Sequence, residues 1–293
     1  MKSLTVFTPT YNRAFCLGNC YNSLVKQTNK DFKWLIIDDG SQDDTKALVN
    51  SWILENKIEI QYHYQKNQGM HSGHNTAYDI IDTELNVCID SDDYMPEDAV
   101  EKILDIWNNE PDKTNIAGII GLDAFKDGKI LGVIPDNLKY STLAELELDY
   151  KIKGDKKLVL RTDIVKQYPL YPITKVERLV PLGTLYLMIG QKHKFICSNE
   201  VFCVIEYLED GSSKNILKQY KKSPNGFRYS RILEMKYSKS FTYTFTRAIH
   251  YISSCLFTKK WFFANENPKK FITLLALPFG ILLHFYILYR IRK

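Results

Sequence analysis

The sequence predicts an α/β fold, a mostly parallel central sheet with flanking helices, followed by a C-terminal helical segment suited to a membrane. Three observations lead there. Short branched and aromatic runs alternate with stretches of helical length through the first 120 residues. Each run ends in a polar, turn-forming segment. From about residue 213 the composition changes to basic and aromatic helix.

The candidate strands are residues 4–8, 32–37, 58–64, 85–89 and 116–120, and the candidate helices between them are 16–28, 44–56, 72–81 and 96–108. Strand–helix alternation builds parallel pairs through crossover connections. Ligands of such sheets bind outside the carboxyl ends of the strands. The segments at those ends are Thr8-Pro9-Thr10-Tyr11, Asp38-Asp39-Gly40-Ser41, Asn67-Gln68-Gly69 and Asp90-Ser91-Asp92-Asp93. All four are expected to face one crevice. Residues 122–212 are less regular, with a buried helix at 179–189 and a long strand at 195–207. The expected division is 1–212, itself in two halves (1–110 and 111–212), then a basic, aromatic region at 213–293.

The chain has 293 residues, 45% hydrophobic and 25% charged, so it can bury a sizeable core and carry an appendage. A net charge of only +5 gives no nucleic-acid signal, and no nucleic-acid partner is expected. The basic residues are unevenly placed. Lys214, Lys218, Lys221, Lys222, Arg228 and Arg231 crowd one segment, and Lys269, Lys270, Arg290, Arg292 and Lys293 bracket the apolar stretch 271–288. That stretch spans about 27 Å as a helix, marginal against a hydrocarbon core of about 30 Å. Basic residues at both ends favour a helix or hairpin lying in the inner-leaflet interface over a full crossing, with a buried core helix as the alternative. None of the six cysteines forms a Cys-x-x-Cys pair, and the N-terminus turns polar too soon for a signal peptide. Reduced thiols and a catalytic half on the cytoplasmic face of the cell membrane are expected.

Three carboxylates within four residues, Asp90, Asp92 and Asp93, repel one another unless something neutralises them. A Mg²⁺ or Mn²⁺ ion with oxygen ligands is one neutraliser, and a solvated acidic turn or helix cap before Pro96 is the other reading. Against a nucleotide-diphosphate ligand the remaining strand ends also make sense. Pro9 stiffens the chain leaving the first strand, and Tyr11 offers a flat face for a base or for the core. Asp39 can accept the imide N–H of a uracil, or belong to a plain Asp-Gly turn. Asn67-Gln68-Gly69-Met70-His71-Ser72-Gly73-His74 sets two glycines and two histidines at a helix start, where N–H groups suit phosphate and His71 can reach a diphosphate. Zinc held by His71 and His74 is the weaker alternative, since no Cys joins them.

Thr8-Pro9-Thr10-Tyr11-Asn12-Arg13, Ile37-Asp38-Asp39-Gly40-Ser41, Asp43, Thr45, Asn67-Gln68-Gly69 and Asp90-Ser91-Asp92-Asp93 together resemble the successive motifs of glycosyltransferase family 2. The likeness covers residues 1–110 and fades beyond 212. It implies a GT-A fold, a nucleotide-sugar donor, a divalent cation and inversion at the anomeric carbon. By the same resemblance Pro9 and Tyr11 match the base-binding loop, Asp39 the carboxylate facing uracil, Asp90 the acid near the ribose, and Asp92 with Asp93 the metal site. The general base falls in the region 173–181, where Glu177 is the acid available; a surface salt bridge to Lys175 or Arg178 is its other reading. Asp210, in the acidic segment 206–213, is placed on the acceptor or diphosphate side.

The sequence thus points to a membrane-associated transferase that uses a UDP-sugar and a glycan acceptor, lipid-linked because the tail seats it at the inner leaflet. Two rivals remain. A nucleotidyltransferase would need a glycine-rich loop after the first strand, and Thr8–Arg13 has no glycine. A non-catalytic nucleotide-sugar-binding protein would not need Asp92 and a base.

Overall fold

The computed structural model describes residues 2–205, 215–259 and 266–292. It opens with four strand–helix repeats: β1 (Leu4–Thr10), α1 (Ala14–Val25), β2 (Phe32–Asp38), α2 (Thr45–Glu55), β3 (Ile60–Tyr64), α3 (Met70–Ile80), β4 (Leu85–Cys88) and α4 (Ala99–Asn108). β5 (Ile116–Phe125), β6 (Tyr140–Ser141), α5 (Leu143–Leu148), β7 (Lys156–Arg161), α6 (Thr162–Val165), α7 (Gly183–Ile189) and β8 (Lys194–Ile205) follow. The chain closes with α8 (Ile216–Lys222), α9 (Pro224–Tyr237), α10 (Phe241–Phe257) and α11 (Lys270–Arg292). Every expected strand and helix of the first 120 residues is present, with ends shifted by a few residues. α7 starts at Gly183 and not at 179, because Pro181 disfavours helical backbone in the residue before it.

The strands form one sheet in the order β3-β2-β1-β4-β7-β5-β8-β6. Its first half is parallel, β1 pairing with β2 and β4, and β2 with β3. β7 runs antiparallel between β4 and β5, β8 is parallel to β5, and β6 is antiparallel to β8. The mixed half lies where turn-rich chain, not helix, links β5 to β6; only a crossover can bring a strand back parallel.

Burial explains the parallel half. β1 and β2 are buried almost throughout, as strands covered on both faces require. Trp34 on β2 stacks with Tyr21 of α1 and Trp52 of α2, the last two with ring centroids 4.4 Å apart. The Trp34 Nε1–H donates to Thr8 Oγ1 at 3.0 Å, so its polar atom is satisfied inside the core. Burying each large apolar side chain of this cluster stabilises the fold by about 1.5–3 kcal/mol before entropy is counted.

Two compact units emerge: Met1–Pro169 with Lys192–Leu208, and Leu170–Gln191 with Glu209–Lys293. Residues 170–191, which the sequence reading placed with the catalytic half, cluster with the C-terminal helices. In that second unit α9, α10 and α11 enclose Met235, Ala248, Tyr251, Ile252, Cys255 and Ala276. Gly280 lets α11 approach α10, since a Cβ there would stand 2.5 Å from Ile252 Cβ. Of α11, Thr273, Ala276, Gly280 and Ile287 are buried, whereas Phe271, Leu274, Phe279, Leu282, Phe285 and Tyr289 are exposed. It is, among the described residues, one helix long and apolar enough to cross a membrane, with only 22% of its apolar window buried. That exposure disfavours the core-helix alternative.

Candidate active site

The carboxyl ends of β2, β1 and β4 lie side by side, because Thr10 is in register with Asp38, and Phe7 with Cys88. Pro9 sits inside β1, and it is tolerated there because β4 ends at the level of Phe7, leaving no partner on that side for the missing N–H. Tyr11 follows at the strand end with 47% of its surface exposed, so it is not a core residue. Asn12, at φ +53°, turns the chain, and its N–H and Oδ1 bond to Ser41 and Gln42 of the neighbouring loop. Asp43 accepts from Ala14 and Thr45 at the starts of α1 and α2.

Asp39 is buried at the end of β2. One carboxylate oxygen accepts from Gln65 Nε2 at 2.7 Å and Gln68 N at 3.0 Å, and the other from Gly69 N at 2.7 Å. It therefore fixes the turn that leads into α3. His71, in the first turn of α3, is buried. His74 lies deeper, its Nδ1 3.2 Å from Tyr78 Oη and its Nε2 3.6 Å from Cys88 Sγ, with its ring edge-on to Phe7. Burial holds its pKa down to about 4, so the ring is neutral.

The acid motif grades from solvent inward. Asp90 is exposed, Asp92 half-buried and Asp93 buried. Asp93 Oδ2 accepts from Cys203 Sγ on β8 at 3.7 Å. Burial, reinforced by Asp90, Asp92 and Asp123 against the pull of Lys157, pushes Asp93 up to about 7. Two of these partners escaped the sequence reading. Asp123 is a buried acid within β5, in register with Cys203, and among the described residues its Oδ1 has no hydrogen-bond partner. Burial opposes charge on Lys157 of β7, yet Cys203, Asp123, Asp90 and Asp93 carry its ammonium well above the ordinary range. A lone Asp inside the apolar run of β5 was the available signal.

Among the described residues no three His, Cys, Asp or Glu side chains converge on one point. The donor set is still that of a hard cation that completes its shell with phosphate oxygens: crowded carboxylates with a deficit of positive charge. The residues present fit Mn²⁺ or Mg²⁺ in that sense.

Glu177 lies in the second unit and is buried. Its carboxylate accepts from Asn225 N at 3.0 Å, Asn225 Nδ2 at 2.6 Å and Gly226 N at 2.9 Å, all at the start of α9. An anion is stabilised at a helix N-terminus by the unpaired N–H groups and the dipole. Arg178 donates to main-chain carbonyls, not to this carboxylate. Asp210 lies outside the described residues.

A parallel half-sheet with the Tyr11, Asp39 and Asp90–Asp93 segments at its carboxyl edge, extended by a mixed half, defines the GT-A class. Comparison with known proteins agrees. Residues 5–145 match Glycosyl transferase family 2, which the chain resembles through this segment. Chondroitin synthase of Escherichia coli is 34% identical over 107 residues, 36% of this chain and 16% of that protein. The GalNAc(5)-diNAcBac-PP-undecaprenol beta-1,3-glucosyltransferase of Campylobacter jejuni is 30% identical over 106 residues, 36% of this chain and 34% of that one. The chain thus spans 16% and 34% of the length of these relatives. In fold it is similar to S. aureus TarS 1-349 in complex with UDP-GlcNAc, with a TM-score of 0.61 over 96% of this chain and 81% of that one, at 17% identity. The mannosyltransferase PcManGT from Pyrobaculum calidifontis, in complex with GDP-Man and Mn²⁺, gives 0.56 over 97% and 87%, at 14% identity.

Proposed function

We propose that this chain transfers a sugar from a UDP-sugar to a hydroxyl of a glycan acceptor, with inversion, at the inner leaflet of a membrane. One observation carries the reading: the Asp39 turn, the Tyr11 loop and the Asp90–Asp93 motif share the carboxyl edge of one parallel sheet. In this reading exposed Tyr11 and Pro9 hold the base, Asp39 and the turn it fixes select uracil, His71 lies on the diphosphate side, and Asp90 addresses the ribose. Asp92, with Asp93 behind it, holds the divalent cation. When bound, that ion neutralises charge developing on the departing diphosphate. Glu177 takes the proton of the attacking hydroxyl, and Asp210 stands on the acceptor side. The likeness to chondroitin synthase and to an undecaprenol-linked glucosyltransferase supports a glycan acceptor and a lipid-linked one respectively.

The exposed apolar side of α11, ended by Arg290 and Arg292, is the face proposed to enter the interface, with α10 covering the other side. Inversion is tested by proton NMR of the first product formed from an α-linked UDP-sugar. A β-glycoside is expected; an α-glycoside would overturn the inverting assignment.

A further inference from the structure

A cleft of about 540 Å³ opens in the first unit between two turns, 129–133 after β5 and 150–154 before β7. Lys129, Lys151 and Lys153 line it, and no acidic residue does. All three are exposed, and among the described residues their ammonium groups have neither an ion pair nor a hydrogen bond. Between them Val133, Tyr150 and Ile130 leave roughly half or more of their surface in solvent.

The cleft is held open by its own backbone. Gly132 at φ +92° and Gly154 at φ +89° bring the two turns into contact; a Cβ on Gly132 would stand 2.5 Å from Lys153 O. Lys156 Nζ donates to the carbonyls of Gly154 at 2.8 Å, Lys153 at 3.0 Å and Leu131 at 3.4 Å, pinning both turns with one ammonium. Farther along each turn, Ile152 N donates to Leu146 O, and Asn199 bonds both main-chain groups of Ile134. Lys151 is held at φ +56°, a conformation that side chains rarely adopt. Asp127, Asp149 and Asp155 flank the two turns but do not line the cleft, and three like charges without an ion pair around it create a local field that an anion relieves.

We propose that this cleft binds the acidic groups of a glycan acceptor, a chain that carries carboxylates or phosphates along its sugars. The proposal rests on the transferase reading above and names its acceptor class. Aliphatic walls and the flat face of Tyr150 suit the C–H faces of sugars, and the volume is within the range of about 300–1,000 Å³ for small-ligand sites. A membrane would ask for a convex surface, and single-stranded nucleic acid for several stacking aromatics where this cleft offers Tyr150.

The test titrates the full chain with a uronate-bearing oligosaccharide, a glycerol-phosphate oligomer and a neutral cello-oligosaccharide of equal length, and measures UDP binding on the same samples. At least one acidic probe should bind at least about tenfold tighter than the neutral one and weaken with salt. K129E/K151E/K153E should abolish that preference, the corresponding triple Arg variant should keep it, and UDP binding should be unchanged in both. Which acidic probe wins identifies the acid. Equal binding of neutral and acidic probes, indifference to charge reversal, equal binding of single-stranded DNA, or vesicle binding that K129E/K151E/K153E abolishes would overturn the proposal. Absence of UDP binding by the unmodified chain would overturn the transferase reading instead, with glycan binding read independently.

Discussion

Glu177 occupies the start of α9 with both carboxylate oxygens, receiving three N–H donors from Asn225 and Gly226. A base in the transfer reaction and a cap of α9 are separable roles for this one side chain. Glu177→Gln keeps the shape but turns an amide NH₂ toward an N–H donor, so the protein should lose about 1–3 kcal/mol of stability. If Glu177 also accepts the hydroxyl proton, transfer measured well below the melting temperature should fall by about 10²-fold or more, while UDP binding stays near normal. Lower stability with unaltered transfer would leave Glu177 as a cap alone. The residue-level reading of Asp92 and Asp93 gains its grading only from three dimensions. Adjacent in sequence, they differ in burial because the 90–93 turn carries Asp93 under β8, against Cys203.

At the scale of elements, α3 and β4 are joined beneath the acid motif by His74, Tyr78 and Cys88. Folded His74 titrates near 4 because it is desolvated, against an ordinary 6.5. Between those values the unfolded chain binds more protons, so the contribution of His74 is fully present above about pH 6.5 and is lost as pH falls toward 4. His74→Phe removes this linkage. The stability of the unmodified chain minus that of the variant should therefore shrink by up to about 3 kcal/mol from pH 7 to pH 4, by denaturant melts. A difference independent of pH would mean that the buried ring does not titrate as placed.

The elements of the first 120 residues were legible because apolar runs and the polar segments that end them are local features of the chain. The insertion of β7 between β4 and β5 was not, since its partners are remote in sequence and its opening Lys156-Lys157 interrupts the apolar pattern of a buried strand. For the same reason the four strand-end segments could be read as a crevice, while Asp123 and Lys157, which complete the charge cluster, could not. The capping of α9 by Glu177 likewise depends on a contact between distant segments.

For the whole molecule, the apolar side of α11 and its basic ends predict attachment to anionic bilayers. Cutting the chain after about residue 265 should release a protein that still binds UDP, because the donor motifs end at Asp93. The basic contribution, about 1 kcal/mol per charge near an anionic surface, should weaken with salt, and the apolar part should not. Flotation with vesicles decides this; a full-length chain that stays in solution, or a truncated one that floats, would contradict it. The central claim is that the carboxyl edge of the sheet holds a UDP-sugar through Asp92 and a divalent cation. Calorimetric titration of UDP into the full-length chain, with and without Mn²⁺, tests it most directly. Binding should tighten with Mn²⁺ in the unmodified chain and lose that metal dependence in Asp92→Asn, with the melting profile preserved. Binding of UDP with equal, Mn²⁺-enhanced affinity by both proteins would contradict it.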